Sequence, residues 1–441
     1  MRDWSPERLA AAAGATLAAA PPAPANNGAR GPLRVTIDSR DVRPGDLFVG
    51  LTGTRTDGGR FAGTALHAGA WGVVVAPEFV SDARCAPVGV VISADDPLAA
   101  LQSLARAWRR ELGAKVLAIT GSTGKTSTKD LLTAMLAADR RVVASAQNLN
   151  TEIGLPLTVL GAPYGTDALV LEMAMRGSGQ IAELAEIAEP DVGVIVNVGP
   201  VHLELLGTLE AVAAAKAELL YGLRPGATAV LPAHEPLLDA YLRDDLRVVT
   251  FGEGGDVADL GAVEIPFASA HMRSNALAAL AAARAVGADP RGMLDVALSA
   301  RRGQRIELPG PVVVIDDCYN ANPMSMRAAL DDLRDDVTAA SQRRVAVLGD
   351  MLELGPDELR YHAEIGAHAG DCGVDLLIAV GPLAAHMGAR YGGEMHAVAD
   401  AAAAADLAAE LVRPGDTVLV KASRGVGLEA VADGLRAAAG A

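Results

Sequence analysis

The stretch Val116-Leu-Ala-Ile-Thr-Gly-Ser-Thr-Gly-Lys-Thr126 constrains this chain more than any other. Its apolar run reads as a buried strand, residues 121–124 as a tight turn and Ser127–Met135 as a helix. Gly121 and Gly124, with Ser122 and Thr123 between them, let the backbone aim N–H groups at one point, and the helix adds its positive end. Lys125 can then reach the outer phosphates of a nucleotide, and the Thr126 hydroxyl, with Ser127 beside it, suits Mg²⁺. The spacing is G-x-x-G-K-T, shorter than the G-x-x-x-x-G-K-[ST] form, because Ile119 stands five residues before Gly124. The strand–loop–helix setting therefore carries the reading more than the string does.

A chain of 441 residues accommodates about three domains. Hydrophobic residues make up 51% but aromatics only 3%, so alanine, valine and leucine must fill the cores. Such a composition excludes disorder. No apolar run has the length of a membrane span. The alanine-rich start, Leu9–Ala25, is not expected to be a secretion signal, since Asp3 and Glu7 precede it and Ser5-Pro6-Glu7 reads as a capped helix start. The three cysteines, Cys85, Cys318 and Cys372, are scattered and fit buried thiols in a reducing compartment. A net charge of −16 disfavours a nucleic-acid partner. Small anions need only local cations, and Arg40, Lys125, Lys129, Arg305, Lys421 and Arg424 stand near predicted loops.

The pattern of elements predicts an α/β protein of three units. Residues 1–95 carry short strands near Arg34–Ile37, Leu47–Leu51, Trp71–Val75 and Val88–Ile92. Residues 96–300 alternate strands (Arg141–Ala144, Ala168–Met173, Val192–Val198, Ala227–Leu231, Val248–Phe251) with helices, which implies a mainly parallel sheet covered on both faces. Residues 301–441 repeat this with strands at Val312–Asp316, Arg344–Leu348, Leu376–Val380 and Thr417–Val420, an open sheet of dinucleotide-fold type. Pro309-Gly310 is placed near the junction of the last two units.

Ligands of open α/β sheets sit at the carboxyl ends of strands. Glu172 ends one predicted strand, where a carboxylate beside a phosphate loop can hold Mg²⁺. His202 follows another. The polar loop Gln147–Glu152 can hydrogen-bond a substrate. Lys216, by periodicity alone, is an exposed lysine on an amphipathic helix.

The order of Thr120–Thr126, Asn148-Leu-Asn-Thr-Glu-Ile-Gly154, Glu172-Met-Ala-Met-Arg-Gly177, Asn197-Val-Gly-Pro-Val-His202 and Ala215-Lys-Ala-Glu218 resembles that of the Mur ligases. So do Asp316-Asp-Cys-Tyr-Asn-Ala-Asn-Pro-Met-Ser-Met326, Leu348-Gly-Asp-Met-Leu-Glu-Leu-Gly355 with His362 after it, and the first unit's Asp38-Ser-Arg40 and Gly45-Asp-Leu-Phe48. The resemblance covers essentially the whole chain. It implies a UDP-binding first domain, a central ATP-binding domain and a Rossmann-like third domain. It also implies an ATP-dependent ligase of peptidoglycan precursor synthesis that joins D-alanyl-D-alanine to a UDP-N-acetylmuramoyl-tripeptide through an acyl phosphate. A cytoplasmic monomer without nucleic-acid or membrane partners is expected. Sibling readings are another Mur ligase or a folylpolyglutamate-type synthetase. A reading from a different class is a phosphate-loop binding protein without catalysis.

The resemblance also implies roles. Thr126 and Glu172 bind one Mg²⁺, and His202 helps hold a second together with Lys216 in carbamylated form. Lys125, Glu172, His202 and Lys216 form the catalytic set. Asn275 contacts adenine, while Arg305, Asp317 and Asn320 reach ATP from the third domain. Ser39 and Arg40 hold the uridine nucleotide, and Asn150 and Thr151 the muramoyl portion. The chain departs from the family at Gly59, where histidine is usual, and at Ala422, where glycine is common in the Lys421–Arg424 loop.

Overall fold

The computed structural model describes residues 1–20, 30–84, 89–146, 148–335 and 343–440. Cys85, Gln147 and the loop at 21–28 lie outside the described residues. Three main sheets follow one another along the chain.

The first sheet contains β1 (Thr16–Ala19), β2 (Arg34–Thr36), β3 (Asp46–Val49), β4 (Gly72–Val75) and β5 (Val90–Ser93), in the order β1-β5-β4-β3-β2. All pairs are parallel except β1 with β5. Pro6–Ala12 is a helix whose cap is Ser5, its side chain accepting the Arg8 N–H. This unit shares a continuous core with the next one. Trp4 meets Trp108 edge-on at 5.7 Å, and the Trp108 indole N–H donates to the Ala162 carbonyl at 2.9 Å. Trp108 lies on the helix Pro97–Leu112, capped by Asp96, which links the two sheets.

The middle sheet contains β6 (Lys115–Thr120), β7 (Val142–Ala144), β8 (Ala168–Glu172), β9 (Val192–Ile195), β10 (Thr228–Pro232) and β11 (Arg247–Phe251), all parallel, in the order β11-β10-β9-β6-β8-β7. Strand order reverses around β6, and such a switch point opens a crevice at the carboxyl ends of the strands. Helices Lys125–Ala137 and Ala270–Ala285 pack together on one face. A short pair, β12 (Val263–Glu264) and β13 (Gly292–Met293), lies beside them.

The third sheet contains β14 (Gln304–Leu308), β15 (Val312–Asp316), β16 (Arg343–Gly349), β17 (Leu376–Val380), β18 (Glu394–Val398) and β19 (Asp416–Lys421), in the order β14-β15-β19-β16-β17-β18. Only β14 runs antiparallel. Leu308 pairs with Val312, so Pro309-Gly310 is the turn of a hairpin at the start of the third sheet. Gly310 has φ +80°, which a turn of this kind takes from glycine at little cost.

Candidate active site

The phosphate loop leaves β6 between two neighbours that the register fixes. Ile119 lies opposite Glu172 on one side, and Thr120 opposite Ile195 on the other. Asn197, just past β9, braces the loop. Its Oδ1 accepts the Ser122 and Thr123 N–H groups at 3.1 and 3.0 Å, and its Nδ2 donates to the Thr123 carbonyl at 3.2 Å. The Ser122 hydroxyl accepts from Gly199 N–H at 2.8 Å and donates to the Gly199 carbonyl at 3.0 Å. Gly124 adopts φ +77°, and a Cβ there would stand 2.4 Å from Asn275 Oδ1. Only glycine fits between the loop and the helix Ala270–Ala285. Asn275 is thereby buried against the loop.

Lys125 opens the helix Lys125–Ala137, and its Nζ donates to the Gly121 carbonyl at 2.8 Å. Burial lowers its pKa, the Arg302 charge lowers it further, and Glu172 opposes both. The next residue, Thr126, donates its hydroxyl to Glu172 Oε2 at 2.7 Å, while Asn150 Nδ2 donates to Oε1 at 2.9 Å. The Ser145 hydroxyl accepts the Glu172 N–H. Glu172 is only 2% exposed. The buried Glu172 carboxylate and the Thr126 hydroxyl, hard oxygen donors beside Lys125, fit a magnesium ion bound with phosphates. Thr151 uses its hydroxyl to accept Gly154 N–H at the start of the helix Gly154–Gly161.

His202 takes a left-handed backbone, φ +53°, and so does Glu353 of the third unit, φ +64°. Non-glycine residues held this way are strained and cluster at functional sites. The two meet: His202 Nδ1 lies 2.5 Å from Glu353 Oε2. Burial lowers the His202 pKa, Glu353 opposes this, and Lys125 and Lys216 add to the lowering. Lys216, on the helix Leu209–Tyr221, is 1% exposed. The exposed position that its periodicity suggests is therefore wrong. The residues a turn away on the helix, Val212, Ala213, Leu219 and Leu220, are all buried, so its face points inward, toward the cleft that Lys125 and His202 also line. Burial first and Lys125 second push its pKa well below the ordinary value.

The third sheet aims its own strand ends at this loop. Asn322 Nδ2 donates to the Ser122 carbonyl at 3.4 Å. Lys421 is buried, and its Nζ donates to Asp317 Oδ2 at 2.5 Å and to the Asn320 carbonyl at 3.0 Å. Tyr319 is flanked by Arg302 at 4.0 Å and Arg424 at 5.5 Å from its ring. The cleft between the two sheets has a volume of about 1720 Å³ and is lined by residues 120–127, Asn150, Thr151, Glu172, His202, Lys216, Asn275, Arg305, Asp317 and Asn320.

Ser39 and Arg40 are not among the lining residues of this cleft. Arg40 pairs instead with Asp38 on an exposed turn of the first unit. Lys129 is directed away too, buried in an ion pair with Asp130. Three residues matter here that sequence reasoning gave no role. Asn197 and Glu353 stand in quoted motifs, so their place was visible and their partners were not. Arg302 carried no motif at all.

A phosphate loop at a sheet's switch point, with a second α/β sheet turned toward it across a cleft, defines a multidomain nucleotide-dependent α/β enzyme. Three family models match in succession: "Mur ligase family, catalytic domain" over residues 34–109, "Mur ligase middle domain" over 119–283 and "Mur ligase, glutamate ligase domain" over 301–424. The chain is 37% identical to the UDP-N-acetylmuramoyl-tripeptide–D-alanyl-D-alanine ligase of Synechocystis, over 91% of this chain and 92% of that one. It is 36% identical to the ligase of the same name from Bacillus subtilis, over 90% and 92%. Among solved structures it is similar to MurF from Acinetobacter baumannii (TM-score 0.84, 26% identity, 98% of each chain). It is likewise similar to MurF ligase from Thermotoga maritima in complex with ADP (TM-score 0.80, 30% identity, 92% and 98%). The chain belongs to the Mur ligase family.

Proposed function

We propose that this chain is the ligase that joins D-alanyl-D-alanine to UDP-N-acetylmuramoyl-tripeptide at the expense of ATP, in the cytoplasm. The observation that carries the reading is the convergence of Lys125, Thr126–Glu172, His202 and Lys216 on one cleft, in a chain matching ligases of that name over nine-tenths of its length.

The tripeptide's terminal carboxylate attacks the γ-phosphorus of ATP, and ADP leaves. The dipeptide's amine then attacks the acyl phosphate, loses a proton and expels inorganic phosphate. Both steps crowd negative charge, so catalysis rests on positioning and neutralisation. Lys125 holds the outer phosphate, and the loop braced by Asn197 supplies N–H groups. Thr126 and Glu172 would hold Mg²⁺, which supplies positive charge between the phosphates. A second ion would take His202 and Lys216. A lysine ammonium cannot ligate a metal, but burial that lowers the Lys216 pKa favours the free amine. It can add CO₂, release a proton and become a carbamate. Among the described residues nothing acidic offsets Lys216's charge, which supports that form.

From the third unit, Arg305, Asp317 and Asn320 would reach ATP, with Lys421 fixing Asp317 and the Asn320 carbonyl. Asn275 would serve the nucleotide from below the loop. Asn150 and Thr151 would contact the muramoyl portion, and Ser39 and Arg40 the uridine nucleotide. No described helix is long and apolar enough to cross a membrane.

Phosphate release should require ATP, the UDP-linked tripeptide and D-alanyl-D-alanine together. Release at full rate without the dipeptide would count against amide formation and for a simple ATPase.

A further inference from the structure

Outside the cleft, two helices of the third unit bring three different metal-ligating side chains to one point. Asp332 lines the cleft. Asp331, one residue earlier on the helix Pro323–Asp335, turns instead toward the helix Glu358–Asp371. There His368 and Cys372, four residues apart and so on one face, meet it. Their donor atoms all lie within 4.8 Å of one another. His368 Nε2 is 3.1 Å from Asp331 Oδ1, and Cys372 Sγ is 3.7 Å from the same oxygen.

We propose that Asp331, His368 and Cys372 form a binding site for a thiophilic divalent cation of the zinc type, separate from the magnesium chemistry of the cleft.

The spacing matches the edges of a coordination tetrahedron. Zinc–sulfur, zinc–nitrogen and zinc–oxygen bonds of about 2.3, 2.1 and 2.0 Å place neighbouring donors roughly 3.3–3.6 Å apart. The two separations to Asp331 Oδ1 need shifts of only a few tenths of an ångström, and the His368–Cys372 pair, within 4.8 Å, closes by rotation of the imidazole and thiol side chains. The donor set is selective: thiolate and imidazole favour zinc and its analogues over magnesium or calcium, which take oxygen. Cys372 is buried and Asp331 is half-exposed, so a fourth position remains open to water.

Charge also balances. Arg334 now shares Asp331 at 3.0 Å, but it holds Asp335 as well, at 2.8 Å. It keeps that partner when an ion takes Asp331. The thiolate and the carboxylate then neutralise the ion. Burial and Asp331 hold the Cys372 thiol up to about 11, so binding expels its proton to solvent, as metal sites with cysteine do. The ion fastens two helices whose N-terminal ends follow cleft loops: Pro323 follows the Tyr319–Asn322 run, and Glu358 follows Glu353.

The test uses the full chain with excess Mg²⁺, to occupy oxygen sites, and Co²⁺ as probe. One equivalent of Co²⁺ should bind and give a thiolate-to-cobalt charge-transfer band in the near-ultraviolet. The band should persist in Cys318→Ser and vanish in Cys372→Ser. Because Cys372 is buried and its variant could misfold, His368→Gln on the half-exposed side serves as a second arm. It should weaken cobalt binding roughly tenfold or more with the circular dichroism unchanged. No band in the parent protein, a band that survives Cys372→Ser, or unchanged affinity in His368→Gln overturns the site.

Discussion

Lys125 and Lys216 share one cleft and one physical problem: burial disfavours the charged form of each, and the Lys125 charge adds to the lowering at Lys216. Their outcomes under mutation should differ. Lys125→Ala removes the charge at the outer phosphate, which no neighbour can replace, since Arg302 stacks on Tyr319. Turnover should fall by roughly a hundredfold or more, the loss typical of a stabilising group aimed at developing charge. Phosphate release at near-normal rate by this variant would sink the assignment. Lys216 is a stability liability in the unliganded protein. The unfolded chain binds a proton at this lysine up to the ordinary value near 10.5, while the folded chain has lost it at lower pH. Unfolded protein thus holds more protons between the two values, so stability rises with pH across that window and levels off above it. Lys216→Met should remove this dependence and unfold at higher temperature, by on the order of 1–3 kcal/mol at neutral pH, with no ligase activity. A calorimetric series against pH checks the first point. Lys216→Ala should regain part of its activity with added short carboxylates if a carbamate is the working form.

At the scale of elements, the loop between β6 and its helix depends on close packing as much as on composition. Gly124 and Gly207 both have positive φ, +77° and +80°, but a Cβ at Gly207 meets nothing within 4 Å while one at Gly124 strikes Asn275. Alanine at either should cost about 1–2 kcal/mol or more from the positive φ. Only Gly124→Ala should also weaken ATP binding, because the loop must move off Asn275. Equal ATP affinities for the two variants, by calorimetry, would refute the packing account.

The same comparison shows which elements can be read from a sequence. The strand–loop–helix unit was legible because an apolar run, two glycines and a lysine carry it locally. The central strands were legible because branched apolar residues fill them. β14 was not: Gln304–Leu308 is an antiparallel edge strand with exposed charged positions, and only Ile306 and Leu308 turn an apolar side to the core. β1 and the helix Gly154–Gly161 hid for related reasons, one in an alanine-rich run and the other behind a glycine and a proline that normally punctuate turns. Lys216 was legible only as part of a motif. A helix of alanine and leucine gives periodicity nothing to contrast with, so its burial had to come from packing.

For the whole molecule, the decisive contact is the one between units. The third unit meets the middle one through polar links, Asn322 to Ser122, His202 to Glu353, and His271 to Asp332 at 3.2 Å, with Tyr361 and Met324 adding limited apolar contact. Interfaces this polar behave like transient ones, and motion between the parts is the expected state. Substrates bound in the cleft touch both sides and therefore favour closure by as much as they prefer the closed form. His202–Glu353 is the joint where closure meets chemistry, since His202 also stands beside the site of the proposed second ion. Glu353→Ala should leave both sheets folded yet weaken closure. It should lower kcat/KM roughly tenfold, about 1.4 kcal/mol, a modest loss because Glu353 is partly exposed. It should also alter kcat and KM together, as hinge and lid changes do. Small-angle scattering supplies the independent readout. The parent protein should compact on adding an ATP analogue with the UDP-linked tripeptide, and Glu353→Ala should compact less at the same saturation. Identical scattering curves for the two proteins, or no compaction in the parent, would mean that the units are already locked and that the His202–Glu353 pair serves stability alone.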